Sequence, residues 1–156
     1  MGKMKMKKRK ATTVAYIEHV GCYGTVPFES IIGKLYKWAK VNKLRPGFVP
    51  LTIYPDNPNT TPTEELRSWV GIPVHGDAKP SDGVSLIELT ESQVACYKFE
   101  APSSEYGNSY KELVEWIESE GCEITGPPVE SYPKKPKVKD GQTIIYAEIQ
   151  FPVRKR

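Results

Sequence analysis

Two short stretches of this 156-residue chain hold side chains able to do chemistry. RSWVGIPV covers residues 67–74 and YAEIQFPV covers residues 146–153. Laid over each other they share Pro73 with Pro152 and Val74 with Val153, and each sets an apolar residue, Ile72 or Phe151, before the proline. Trp69 then falls opposite Glu148. Side chains alternate along a strand. Ser68, Val70, Ile72 and Val74 therefore share one face, as do Ala147, Ile149, Phe151 and Val153, and these small or apolar sets read as core. The other face receives Trp69 in one copy and Tyr146, Glu148 and Gln150 in the other. A carboxylate beside wide aromatics can meet a cation, or act as general base on water or as acid toward a strained ring. In a partly dry cleft such an acid has a raised pKa or takes up a positive charge. The competing reading is a solvated face on which Glu148 and Gln150 serve solubility, although an indole there is wasteful unless something covers it.

The elements that must position these residues form a duplicated plan. VAYIEHVG (14–21) matches VACYKFEA (94–101), ESIIGKLYKWA (29–39) matches GNSYKELVEWI (107–117), and YPDNP (54–58) matches YPKKP (132–136). The matches keep their order and nearly the same spacing, the signature of an internal repeat. Val14, Tyr16 and Glu18 alternate with Ala15, Ile17 and His19, a strand pattern. Phe28, Ile31, Ile32, Leu35, Trp38 and Ala39 form one apolar helical stripe after Pro27. LRPG stops that helix. FVPLTIYPD and LRSWVGIPV follow as strands, with a turn at the Pro/Asp/Asn run. The second copy gives a strand over 93–100, a helix over about 107–119 with Tyr110, Leu113, Trp116 and Ile117 as its stripe, and strands near 128–132 and over 142–153. GVSLIELTES supplies one more strand between the copies.

The expected fold is therefore α+β: an internally duplicated βαββ unit, in pseudo-repeats 11–79 and 84–153, making an antiparallel sheet with two helices on one face and a central ligand cleft. Pockets favour such interfaces, and the pseudo-twofold is expected to turn Trp69 and Glu148 toward one hollow. Tyr23, in VGCYG, walls that cleft or is a plain loop aromatic. Tyr54 and Tyr132 are read as turn residues, and Trp38 and Trp116 as core.

Composition bounds the rest. Hydrophobic residues make up 38% of the chain and charged residues 26%, which suits a packed domain, and no apolar run is long enough for a membrane span. Net charge is +3, but the basic residues crowd the ends. Residues 1–10 read as a basic disordered tail and 154–156 as a short basic tail, around an acidic body. Nucleic-acid binding is not expected, since the body shows no matching motif. The N-terminus lacks the apolar core of a signal peptide, so a cytoplasmic location is expected. Cys22, Cys96 and Cys122 have no CxxC spacing and are read as small hydrophobes. His19 and His75 lack ligand-spaced partners. No metal and no cofactor are expected.

Taken together, VGCYG before a helix ending LYKWA, YPDNPNTTPTEELRSWVGIPV, and GCEITGPPVESYP followed by AEIQFPV resemble the GyrI-like small-molecule-binding domain. That domain also forms the effector-binding half of AraC- and MerR-type multidrug regulators. The resemblance covers nearly all of 11–153. It implies a duplicated βαββ fold with a cleft for hydrophobic, aromatic, often cationic compounds, and a stand-alone binding protein that protects against toxic metabolites. It places the family's last-strand glutamate at Glu148, as countercharge for a cation, with Trp69, Tyr146, Gln150 and Tyr23 as further ligand-binding residues. Some stand-alone members resemble hydrolases that open cyclopropane-bearing natural products with a Trp and a Glu, a pair that maps onto Trp69 and Glu148 as catalytic residues. The resemblance also admits gyrase or a regulator as partner. The loop here reads Gly21-Cys22-Tyr23 where the family often has Gly-Pro-Tyr, and Trp69 stands where many members have a polar residue. With no DNA-binding domain before the fold, the chain is expected not to be a complete regulator by itself.

Overall fold

The computed structural model describes residues 4–156. In chain order the strands and helices are β1 (Met4–Arg9), β2 (Thr12–Val20), α1 (Phe28–Val41), β3 (Arg45–Pro46), β4 (Leu51–Ile53), β5 (Arg67–His75), β6 (Ser85–Leu89), β7 (Ser92–Pro102), α2 (Tyr106–Ser119), β8 (Cys122–Ile124), β9 (Val129–Ser131), β10 (Lys137–Lys139) and β11 (Gln142–Lys155). They fall into two compact units, Lys10–Glu91 and Met1–Arg9 with Ser92–Arg156. Each is an antiparallel sheet with one helix packed on it, an α+β design.

In the Lys10–Glu91 unit β4, β5, β2 and β6 lie side by side, and β3 extends the pairing at the end of β5. The stripe read from the sequence packs as expected. Ile31, Leu35, Trp38 and Ala39 of α1 are buried against Ala15, Val70, Ile72 and Val74. Trp38 Nε1 donates to Ser81 Oγ at 2.9 Å, so its polar edge is satisfied at the rim of the core. Lys43, with φ of 56°, turns the chain out of α1. On the far face of this sheet Tyr16 sits opposite Gly71. A Cβ at Gly71 would lie 2.6 Å from Val14 Cγ1 and 2.8 Å from the Ala15 carbonyl oxygen, so only glycine fits there.

In the other unit β1, β7, β11 and β9 are neighbours, with β8 and β10 added along β11. Leu113 and Ile117 of α2 pack on Ala95, Tyr97, Ile149, Phe151 and Val153. Gly121, with φ of 72°, supplies the left-handed residue just after α2 that an L side chain resists.

The basic N-terminal segment departs from expectation. Residues 1–3 lie outside the described residues, but Met4–Arg9 is the strand β1 and not a disordered tail. Six consecutive pairs join it to β7, from Met4↔Tyr97 to Arg9↔Ser92. The reason is its phase: Met4 and Met6 pack against the α2 core, while Lys5, Lys7 and Arg9 fall on the opposite face. The C-terminal tail is likewise shorter than read, because β11 continues to Lys155 and Arg154 Nε donates to the Glu123 carboxylate. The repeat boundaries shift accordingly. β1 precedes β2 yet pairs with β7, and β6 precedes β7 yet pairs with β2. Each unit thus takes its outermost strand from just before the other unit's first strand.

The strand read over FVPLTIYPD is shorter than expected, confined to Leu51–Ile53. Cys96 and Cys122 are buried as small hydrophobes, but Cys22 is exposed.

Candidate functional site

The residues singled out in the sequence are held within their own units as follows. Glu148, on the β11 face away from α2, is mostly buried, its side chain 15% exposed. Its Oε1 accepts from Lys7 Nζ at 2.5 Å and from Gln150 Nε2 at 2.9 Å. Burial alone pushes this carboxyl up. The hydrogen bonds and charge of Lys7, with Gln150 and Cys96 beside them, outweigh it and hold Glu148 below the ordinary carboxylate range. The raised pKa considered for this acid is therefore not found, and the cation that meets it is the chain's own. The Cys96 thiol is pushed up to about 12, chiefly by burial, so it is not a reactive thiolate near neutral pH.

Trp69 lies on the matching face of β5. Its Nε1 donates to Glu18 Oε1 at 2.9 Å, its ring is 5.0 Å from that of Tyr16, and the Arg67 guanidinium stands 5.5 Å from its centroid. Asp56 fixes Arg67 through contacts of 2.8 and 3.0 Å. The indole is thus flanked by residues of its own sheet. The Tyr23 ring is tilted against that of Tyr54 with centroids 4.7 Å apart, and its hydroxyl donates to the Asp56 carbonyl at 3.1 Å, a loop-closing role. Tyr146, with Lys134 at 5.5 Å over its ring, opens onto a surface groove of about 540 Å³ beside Lys137 and Lys139.

Two features escaped the sequence reading. Glu130, in β9, pairs with Ile149 and so faces the α2 side. It is only 5% exposed. Tyr110 of α2 donates its hydroxyl to Glu130 Oε2, and Tyr132 donates to Oε1 at 3.3 Å. Burying a carboxyl group is costly unless hydrogen bonds compensate it, and the two phenol hydroxyls supply such bonds to Glu130. In the other unit the residue seventy-eight places earlier is Thr52, also fully buried. The spacing that joins Tyr54 to Tyr132 would have pointed to this pair. Second, His19 faces Ser68 across β2 and β5. Ser68 Oγ and His19 Nδ1 are both buried without a hydrogen-bond partner. Among the described residues no cluster of three or more His, Cys, Asp or Glu side chains could hold a metal, and no helix is long and apolar enough to cross a membrane.

A repeated sheet-and-helix unit with a buried, tyrosine-framed carboxylate in one copy suits a domain that takes up small molecules. The chain belongs to the GyrI-like small molecule binding domain family, whose profile matches residues 3–154, including β1. It is 29% identical over 120 residues to the SPbeta prophage-derived protein YosT of Bacillus subtilis (strain 168), covering 74% of this chain and 78% of that protein. Among solved structures the fold is similar to the EcmrR C-terminal domain, with a TM-score of 0.81 at 19% identity, covering 100% of this chain and 99% of that one. Against EcmrR in its DNA complex the chain spans 58% of the partner's length. A hydrolase from Listeria innocua gives a TM-score of 0.69 at 13% identity, with 97% and 92% of the two chains covered. SAV2435 bound to tetraphenylphosphonium gives 0.57 at 13% identity, covering 97% and 94%.

Proposed function

We propose that this protein binds hydrophobic, aromatic, cationic small molecules and that Glu130 is the carboxylate that receives their positive charge. The observation that carries this reading is the burial of Glu130 between the Tyr110 and Tyr132 hydroxyls. In its ionised form a buried carboxylate between two tyrosines would favour an organic cation through both charge and cation–π attraction, each worth ~1–2 kcal/mol in a dry site. The ligand of SAV2435, a hydrophobic cation, supports the same chemistry. Glu148 is the weaker candidate for this role, because a ligand cation there would have to displace Lys7. Fluorescence titration of the full chain with a cationic dye and a neutral dye of the same ring size tests it. Glu130→Gln is expected to weaken the cationic dye about tenfold and leave the neutral one within twofold. Equal losses for both, or none for either, would reject the countercharge role.

A hydrolase working through Glu148 and Trp69 is the second reading, and the Listeria innocua neighbour supports keeping it. In that chemistry Glu148 would serve as base rather than acid, since its carboxyl stays ionised. Incubation with a cyclopropane-bearing compound, followed by mass spectrometry, tests it. A ring-opened product that Glu148→Gln still forms would rule out this mechanism.

A further inference from the structure

The sheet face away from α2 carries two neighbouring cations from β1 with opposite fates. Lys7 has its charge met by Glu148. Arg9, two residues on, does not. Among the described residues no carboxylate lies within ion-pair reach of its guanidinium. Nη1 makes only a long contact of 3.5 Å to Gln150 Oε1, and Nε is buried with no acceptor at all. The side chain is half-buried, and that burial pulls its pKa below the ordinary guanidinium value, with Cys96 opposing slightly. A partly desolvated charge without a counterion is an unfavourable arrangement.

The other unit shows that the fold does not require a cation at this place. Arg9 pairs with Ser92 as Leu89 pairs with Thr12, eighty residues apart in both strands. Where one copy sets an apolar Leu89 on the edge strand, the other sets a guanidinium whose stem can pack in the same way. The head group is then an addition that the sheet itself leaves unanswered. A guanidinium is also the side chain best shaped to take a carboxylate, sulfate or phosphate through two parallel hydrogen bonds.

We propose that Arg9, flanked by the Lys7–Glu148 pair, is a binding site for the anionic group of a small molecule, a carboxylate, sulfate or phosphate. It is a different place from Glu130 and takes the opposite charge, so the two readings stand or fall separately.

The test is an NMR titration of the isotopically labelled full chain, following the arginine Nε–Hε signals at constant ionic strength. The probes are inorganic sulfate, inorganic phosphate, benzoate and phenyl phosphate, with chloride as the balancing salt. The Arg9 signal is expected to move saturably with at least one probe. Comparing benzoate with phenyl phosphate decides between a carboxylate and a phosphate ester. Arg9→Leu, the residue the other copy uses, is expected to abolish binding, and Arg9→Lys to weaken it about tenfold. Lys98→Met, on the same face, should change it less than twofold. Movement no larger than chloride alone produces would overturn the proposal, as would binding unchanged in Arg9→Leu. So would binding confined to a DNA oligonucleotide, with the loss spread evenly over Lys5, Lys7, Lys8 and Arg9. Arg9→Leu should leave the cationic-dye affinity intact, and Glu130→Gln should leave anion binding intact.

Discussion

The two units share one register and diverge in chemistry at its matching positions. In Lys10–Glu91 the sheet face away from the helix carries Tyr16, Trp69, Gly71, Ile87 and Leu89. In the other unit the equivalent positions hold Cys96, Glu148, Gln150, Lys7 and Arg9. At these five positions charged or polar groups replace aromatic and apolar ones, while Glu18 and Arg67 on the first face match Lys98 and Tyr146 on the second, and the strand pairing is the same. On the helix-side face the change is smaller but similar in kind. Thr52 and Ser68 in one copy stand where Glu130 and Ala147 stand in the other. Backbone pairing and the helix stripe fix the fold, so a duplicated domain is free to redistribute polar groups between its halves. Ligand recognition can then belong to one copy and plain packing to the other.

Four sets of substitutions sharpen or break that contrast, taken from the largest expected effect. Leu35 and Leu113 are matched core residues, both 0% exposed. Leu35→Ala and Leu113→Ala should each lower unfolding free energy by about 3 kcal/mol in urea denaturation. Losses differing by more than about 2 kcal/mol would show that the two helices are not equivalent in packing. Next is the matched pair Gly71 and Gln150. Gly71→Ala forces a Cβ into the Val14 side chain and the Ala15 carbonyl and should cost about 2–3 kcal/mol. Gln150→Ala, with room already present, should stay within about 1 kcal/mol.

The third concerns Lys7. Lys7→Met leaves the Glu148 carboxylate short of its cation and should cost about 1 kcal/mol at neutral pH, the full buried-pair loss being reduced by the partial exposure of Lys7. The pH dependence has a definite sign. Glu148 is held below its ordinary value of 4.5, so its contribution is complete above that value and is lost as pH falls through the folded-state value. Lys7 is held above 10.5, with burial opposing and Glu148 raising it. Its contribution is therefore complete below 10.5 and lost at higher pH. Wild type should lose more stability than Lys7→Met on acidification below about pH 4.5, measured by thermal melts across a pH series. Parallel curves would mean that the pair contributes nothing. The smallest effect belongs to Ser68, whose buried hydroxyl has no partner. Ser68→Ala, which copies Ala147, should stabilise by up to about 1 kcal/mol, whereas Ala147→Ser should destabilise. A clear loss for Ser68→Ala would reveal a bond from this hydroxyl, such as one to a bound molecule.

Much of this fold is legible in the sequence. The apolar stripes ending at Ala39 and Ile117 and the alternation in 67–74 and 146–153 depend on local periodicity, which burial enforces. What escaped depends on partners distant in sequence. Met4–Arg9 reads as a charge run because four of its six residues are lysine or arginine. Only its alignment with Ser85–Leu89, eighty residues on, gives it a partner strand. The strands β3, β8 and β10 are two or three residues long, too short for any period to register. Glu130 sits in PPVESYP, which reads as a strand, but its local pattern does not mark Glu130 as the buried position. Its burial follows from lying opposite Ile149, a contact no local pattern announces. Glu148 was legible as a carboxylate on the open face but not as one already joined to Lys7, because the pairing spans 141 residues.

The most direct test of the account is a crystal structure of the full chain with tetraphenylphosphonium bound. The account predicts the phosphonium centre nearest the Glu130 carboxylate, among the Tyr110 and Tyr132 rings, with the Lys7–Glu148 ion pair intact. A cation seated at Glu148 with Lys7 displaced would contradict it.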